Sequence, residues 1–405
     1  MFKKTDEIKV MRDPVHEYIH IEYQVIWDAI NSKEFQRMRR IHQMGTSYLV
    51  YHTAEHSRFS HCLGVYEITR RMCTEVKDIQ EYLSEDEKIQ VMLAGLLHDL
   101  GHGPFSHFFE MVTSESHESM TKRIILEDSE IHSILEKAQE GLSEKVANIL
   151  DHSHPKVVLT QMISSQLDAD RMDYLLRDAT FSGTTYGHFD LERILRTMRV
   201  QEGKLVIKVS GIHSIEDYIM ARYHMYYQVY FHPTSRAVEG LILGFFKRFL
   251  DLRKQDESYA LKYPMFDFLG QKGLISIHKH QQIDEASCFY GFQCCLKDED
   301  KILSDIANRI LDRHLFMDVD YIDEKQIEEI KVKLDKKGLD ANYYLYQDEM
   351  EKNPYSPYNE ENSLIYILMN DLSVRELSDV SRIVKAVVNT DSLENRKVFY
   401  PKEGL

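Results

Sequence analysis

Apolar residues recur at helical spacing through most of the first 250 positions, and little Gly or Pro interrupts them. Ile26, Ile30, Met38 and Ile41 predict one helix over residues 26–44. Leu63, Val65, Ile68 and Met72 predict a second over 61–76. A third is predicted over 85–100, behind Ser84, with Glu87 three residues on to complete a capping box. Gly101 and Gly103-Pro104 are its stop signal. Further helical stretches cover 165–179, 214–232 and 237–254. The run GKLVIKVS at 203–210 alternates apolar and polar residues, as a short strand does. After about residue 255 the pattern changes. Short β-like runs (342–350, 363–369, 396–401) share that region with a charged helix over 324–337 and a helical run over 374–387. KNPYSPYNEEN, 352–362, reads as an exposed loop. The pattern predicts a mostly α chain, with a helical core over 1–250 and a smaller C-terminal α+β portion over 251–405. No internal repeat is visible.

Composition narrows the function classes. The net charge of −16 repels nucleic acid at long range, which argues against nucleic-acid binding. It leaves room for an anionic substrate in a locally basic pocket. No apolar run is long enough to span a membrane. The start, MFKKTDEIKV, lacks the apolar stretch of a signal peptide, so a cytoplasmic location is expected. The five cysteines form no CxxC pair and read as reduced thiols.

The chemistry concentrates in GLLHDLGHGPFSH, residues 95–107, where His98, Asp99, His102 and His107 follow an apolar helix end. A carboxylate buried there needs a partner. A divalent cation would supply one, and mixed imidazole and carboxylate donors suit Mn, Fe, Zn and similar ions. His61 sits among apolar neighbours in RFSHCLG. Asp168 and Asp170 head the stretch SQLDADRMDYLLRD, where Asp170, Tyr174, Arg177 and Asp178 form one polar stripe. That stripe reads equally as a solvated helix face. Arg222, Tyr226 and Tyr230 recur every four residues, which fits either core packing or a polar cleft.

The order H…HD…D over three helices resembles the HD-domain phosphohydrolase superfamily. HDLGHGPFSH, DPVHEYIHI, FQRMRRIHQMG, SRFSHCLG and DADRMDYLLRD are similar to its deoxynucleoside triphosphate triphosphohydrolase branch, over residues 9 to about 245. The resemblance implies a divalent metal (Mg, Mn, Fe or Zn) held by His61, His98, Asp99 and Asp170. It implies hydrolysis of dNTPs to deoxynucleoside and inorganic triphosphate. His107 would protonate the 5′-oxygen and Asp168 would orient it. His102 and His117 would contact the reacting phosphate, with Glu110 a partner of His102. Arg58, Arg171, Tyr174, Asp178, Arg222, Tyr226 and Tyr230 would grip phosphate and sugar, and Gln43 would reach the 3′-hydroxyl. Phe231 stands where a family enzyme has a polar residue near the sugar.

The resemblance also implies a homotetramer switched on by a nucleotide such as GTP or dGTP. Lys9, Val10, Asn31, Gln36 and Arg39 occupy the matching positions, with Asn31 replacing an Asp that reads guanine. Without that site, Arg37, Arg39 and Arg40 are a solvated basic helix face. Alternative readings are an HD phosphohydrolase for nucleoside monophosphates, cyclic dinucleotides or guanosine alarmones, or a nucleotide-sensing binding protein.

Overall fold

A computed structural model describes residues 2–113, 115–270, 273–320, 323–350, 364–388 and 395–404. The predicted loop 352–362 lies outside the described residues. The chain opens with an antiparallel hairpin, β1 (Lys4–Asp13) and β2 (Glu17–Tyr23). The helix predicted over 26–44 is broken. It becomes α1 (Gln24–Asn31), α2 (Lys33–Arg37) and a 3₁₀ turn at Met38–Arg40. Ser32 makes the break: its side chain accepts the Phe35 N–H and starts a new helix, so local capping overrides the apolar period.

Three helices form the scaffold of the site. Helix α3 (Arg58–Glu75) packs against both α4 (Glu85–Leu97) and α6 (Ala169–Ser182), with α5 (His117–Leu126) beside the loop that leaves α4. Helix α4 carries the predicted capping box, with Ser84 accepting from Glu87 N and Glu87 accepting from Ser84 N. Each such cap contributes about 0.5–2 kcal/mol. Asp168 caps α6, and Gly183 ends it in the left-handed conformation at φ 73°. Helix α7 (Ile212–Met225) does not continue as a regular helix to residue 232 as predicted. It widens into a π turn at Tyr226–Tyr230 before α8 (Pro233–Gln255).

The later part contributes small sheets. β3 (Met198–Gln201) and β4 (Lys204–Lys208) join β7 (Tyr366–Leu368) and β8 (Val374–Glu376) in the order β3-β4-β7-β8, with β4 and β7 parallel. β5 (Met317–Asp320), β9 (Asn395–Tyr400) and β6 (Tyr346–Met350) form a second sheet. The run 374–387, predicted helical, begins as β8, because pairing with β7 claims Val374–Glu376. Helix α9 (Glu285–Cys295) returns toward the N-terminal helices. One apolar cluster runs from Ile19 to Phe399, and α8 passes unbroken through residue 250. No helix among the described residues is long and apolar enough to cross a membrane. All five cysteines are free.

Candidate metal and nucleotide site

The walls of the site come from the ends of the scaffold helices. His61 lies in the first turn of α3, His98 and Asp99 follow the last turn of α4, and Asp170 lies in the first turn of α6. His61 Nε2 is 3.0 Å from Asp170 Oδ1 and 3.9 Å from Asp99 Oδ2. His98 Nε2 is 3.3 Å from Asp99 Oδ1 and 3.5 Å from Asp170 Oδ1. Both Nε2 atoms are buried and, close as these carboxylates are, neither has a partner aligned for a hydrogen bond. Their other ring nitrogens are tied down. His61 Nδ1 meets Asp173 Oδ2 at 2.8 Å, and His98 Nδ1 donates to the Gly95 carbonyl at 2.9 Å. Both bonds turn an Nε2 lone pair into the cluster. Burial works against protonation of His61, yet Asp170 and Asp173 raise it to about 10. The pocket asks for positive charge, and the donor set fits a divalent cation.

Asp99 is shared between two groups of donors, since His102 and His117 also converge on it, with His102 Nε2 3.4 Å from its Oδ1. Against the cost of burial, His98 and Arg58 hold it well below the usual carboxylate range. Arg58 pairs with Asp99 and donates from Nη2 to Ser106 Oγ at 2.8 Å. His102 stacks on His117 with ring centroids 3.8 Å apart. Burial, then Arg58, push the His102 pKa well down, so this ring is neutral. His117 Nδ1 is held by Glu110, the residue expected to partner His102. His107 opens the helix His107–Thr113, but its side chain lies outside the described residues.

The loop between these histidines is shaped closely. A Cβ at Gly101 would sit 2.0 Å from the His117 carbonyl, so only glycine lets the loop touch α5. Phe105 and Ser106 take φ of 61° and 53°, a conformation costly for side-chain-bearing residues. The later part of the chain braces this loop. Arg37, solvated in the alternative reading of its basic helix, is fully buried and donates to both the Ile283 and His102 carbonyls. His280 Nε2 bonds the Gly101 carbonyl at 3.0 Å, and Glu285 accepts from Phe105 N and His42 N.

Along α6 the predicted polar stripe faces the interior. Asp178 and Arg177 are buried, Asp168 is fully so, and Asp170 and Tyr174 are half-buried. Asp168 accepts from Ser165 N and Arg171 N at 2.7 Å each, and pairs with the Arg171 side chain. Arg222 donates to Gln166 Oε1 at 2.6 Å and lies over the Tyr226 ring. Tyr230 donates to Asp178 Oδ2 at 2.7 Å, and His56 Nε2 meets Asp178 Oδ1 at 2.7 Å. Tyr174 packs edge-on against Tyr230. Gln43 keeps a buried, unpaired Oε1. Phe231 packs edge-on against Tyr226. The π turn sets the two tyrosines edge to face, and such bulges recur at functional sites.

The candidate regulatory residues fall in two places, strand β1 and the broken helix that follows the hairpin. Lys9 and Val10 lie on β1, where Lys9 pairs with Glu7 and Val10 is exposed. Asn31 donates to the Trp27 carbonyl. Gln36 accepts from Arg39 Nε at 2.9 Å, and that guanidinium lies 3.5 Å above the Phe59 ring.

Sequence reasoning missed Asp173, His56 and the buried role of Arg37. Asp173 stands four residues before Arg177, and that ion-pair spacing was the available signal.

The chain is similar to known proteins along most of its length. A model described as "HD domain" matches residues 58–178, and one described as "HD associated region" matches 189–403. The uncharacterized protein YwfO of Bacillus subtilis is 42% identical over 99% of this chain and 94% of its own length. The deoxynucleoside triphosphate triphosphohydrolase SAMHD1 homolog of Dictyostelium discoideum is 28% identical over 59% of this chain and 49% of its own length. A crystal structure of a phosphohydrolase from Bacteroides thetaiotaomicron superposes with a TM-score of 0.85 at 28% identity. It covers 98% of this chain and 100% of its own.

Proposed function

The chain belongs to the HD-domain phosphohydrolase family, and we propose from that premise that it hydrolyses dNTPs to deoxynucleoside and inorganic triphosphate. One observation carries the reading. The His61, His98, Asp99 and Asp170 cluster shares its surroundings with three guanidiniums, buried Arg58 and Arg222 and half-buried Arg171, each with a buried Nε–H that has no partner. Fixed, unpaired cationic donors of that kind match a chain of phosphates, which offers several acceptor oxygens. Tyr174, Tyr226 and Tyr230 supply flat surfaces for the sugar.

His61, His98, Asp99 and Asp170 would hold the divalent cation. When bound, that cation lowers the pKa of water and polarises a phosphoryl oxygen. In the proposed reaction, a water oxygen adds to the α-phosphorus and the bond to O5′ breaks. His107 gives the departing O5′ its proton, with Asp168 orienting it. Neutral His102 and its stacked partner His117 contact the reacting phosphate. Arg58 and Arg171 neutralise the charge gathering on the phosphates. The tyrosines admit a deoxyribose by shape, and Gln43 reaches its 3′-hydroxyl. We also propose a homotetramer activated by a nucleotide such as GTP or dGTP, bound by Lys9, Val10, Asn31, Gln36 and Arg39. The Gln36–Arg39 pair, seated on Phe59 two residues from His61, supports that placement.

The test is product analysis by ion-exchange chromatography. The protein is incubated with each dNTP and NTP plus Mg²⁺ or Mn²⁺, with and without a second nucleotide. Triphosphate and deoxynucleoside in equal amounts are the expected products. Release of orthophosphate or pyrophosphate would overturn the bond assignment in favour of another HD phosphohydrolase reaction. Tight nucleotide binding without turnover would favour a sensor.

A further inference from the structure

The motif DPVH, residues 13–16, runs from the end of β1 into the turn before β2 and contains none of the groups given a role above. We infer that Asp13 and His16 are positioning residues for the metal ligand His61. The inference rests on the assignment of His61 as a ligand.

The turn is built to turn a histidine inward. Asp13 Oδ1 accepts the backbone N–H groups of Val15 and His16, each at 2.9 Å, and Pro14 presets the turn. The His16 side chain is 3% exposed although it sits at the tip of a hairpin. Its Nε2 lies 2.6 Å from Asp173 Oδ1. Asp13 also accepts from Arg177 Nη1 at 2.9 Å and Nη2 at 3.3 Å. Arg177 in turn forks onto Asp173, with Nε and Nη2 each at 2.9 Å. The remaining contact of Asp173 is His61 Nδ1 at 2.8 Å.

Asp173 thus receives four hydrogen bonds, which is the full capacity of an ionised carboxylate. Against the cost of burial, Arg177, His16 and His61 hold it well below the usual range. It has no room to swing. A Cβ at Gly64 would fall 1.8 Å from Asp173 Oδ1 and 2.4 Å from Arg177 Nη2. Helices α3 and α6 supply two sides of this clamp, and the hairpin supplies the third. Arg177 alone could satisfy the charge of Asp173. His16 and Asp13 add direction: they hold the carboxylate and its guanidinium from the side away from α3 and α6, behind His61. A carboxylate held behind a ligand histidine fixes its tautomer and orientation, and removal of such a partner weakens metal binding about 10–100-fold.

The test titrates metal-free protein with Co²⁺ alone, reading both affinity and the visible absorption of the bound ion. His16→Leu and Asp13→Asn are expected to weaken Co²⁺ binding about 10-fold or more and to shift the absorption bands. His16→Gln keeps a donor toward Asp173 and is expected to recover most of both. Thermal melts of the metal-free proteins separate loss of fold from loss of positioning. Should His16→Leu fail to fold, Asp13→Asn carries the same readings. Unchanged affinity and an unchanged spectrum in folded variants would overturn the inference alone. Absence of Co²⁺ binding by the unaltered protein would overturn the metal assignment, and the inference with it.

Discussion

At one end of the cleft, His61 and His98 have their outer ring nitrogens bonded and their inner nitrogens open. At the other, Tyr230 and Asp178 use their polar atoms on each other and on His56. Arg222 and Gln43 each keep one buried atom without a partner. The contrast separates two ways of binding. Where the protein leaves buried donors and acceptors unmet, the ligand must complete them, and removal of one leaves the rest unbalanced. Where the protein satisfies itself, it selects by shape, and removal of one bond costs little. The metal end should therefore fail abruptly and the sugar end gradually.

The largest effect is expected at Asp99, which faces both the His61–His98 pair and the His102–His117 pair. Asp99→Ala should abolish turnover and lower bound metal, measured by metal analysis beside the ion-exchange assay. It also strips buried Arg58 of its carboxylate, a loss of about 3–5 kcal/mol for a broken buried pair. Full activity with full metal content would end the assignment. Gly64→Ala should come next. The added methyl collides with a carboxylate that cannot move, so about 1–3 kcal/mol of stability is lost to overpacking. Metal affinity should fall as well, as His61 loses its fixed partner. A variant destabilised to that extent but binding metal normally would show that the clamp serves the fold alone.

The two ends also differ in how far they could be read from sequence. The spacing of His98 and Asp99 behind an apolar helix pointed to a buried cation site, and resemblance added His61 and Asp170. Ser84 and Glu87 fixed the start of α4 because capping is local chemistry. Asp173 escaped notice because its role exists only where α3, α6 and the hairpin meet. Arg37 looked like a solvated charge because its partners, the Ile283 and His102 carbonyls, are backbone atoms remote in sequence. The π turn at Tyr226–Tyr230 preserves the tyrosine spacing while changing where the rings point, which apolar periodicity does not encode. The parallel pairing of β4 with β7 joins strands about 160 residues apart, beyond the reach of local alternation.

Arg222→Gln sharpens the comparison at the seam. The variant keeps a polar group near Gln166 but removes the cation and its open Nε–H. A lost hydrogen bond to a charged group costs about 1.5–3 kcal/mol, so kcat/KM for dNTP should fall about 10–100-fold. Metal binding should hold, since Arg222 bonds to none of the four ligands among the described contacts. A parallel loss of metal would mean that the two ends are one unit.

The smallest effect is expected from Tyr230→Phe. The change keeps the ring that packs against Tyr174 and Tyr226 and deletes only the hydroxyl that donates to Asp178. Asp178 retains His56, so no buried carboxylate is left without a donor. A hydrogen bond to a charged group is worth about 1.5–3 kcal/mol, but this one is already made in the free protein, so the loss falls mainly on stability and KM should rise only a few-fold. Because the ring edge still bounds the sugar, preference for dNTP over NTP should survive in steady-state assays of both. If selection instead depends on the hydroxyl, as a donor or as the group that holds Asp178 in place, NTP turnover will rise toward that of dNTP in this variant. That outcome would move the sugar end into the same class as the metal end, a site defined by bonds rather than by shape.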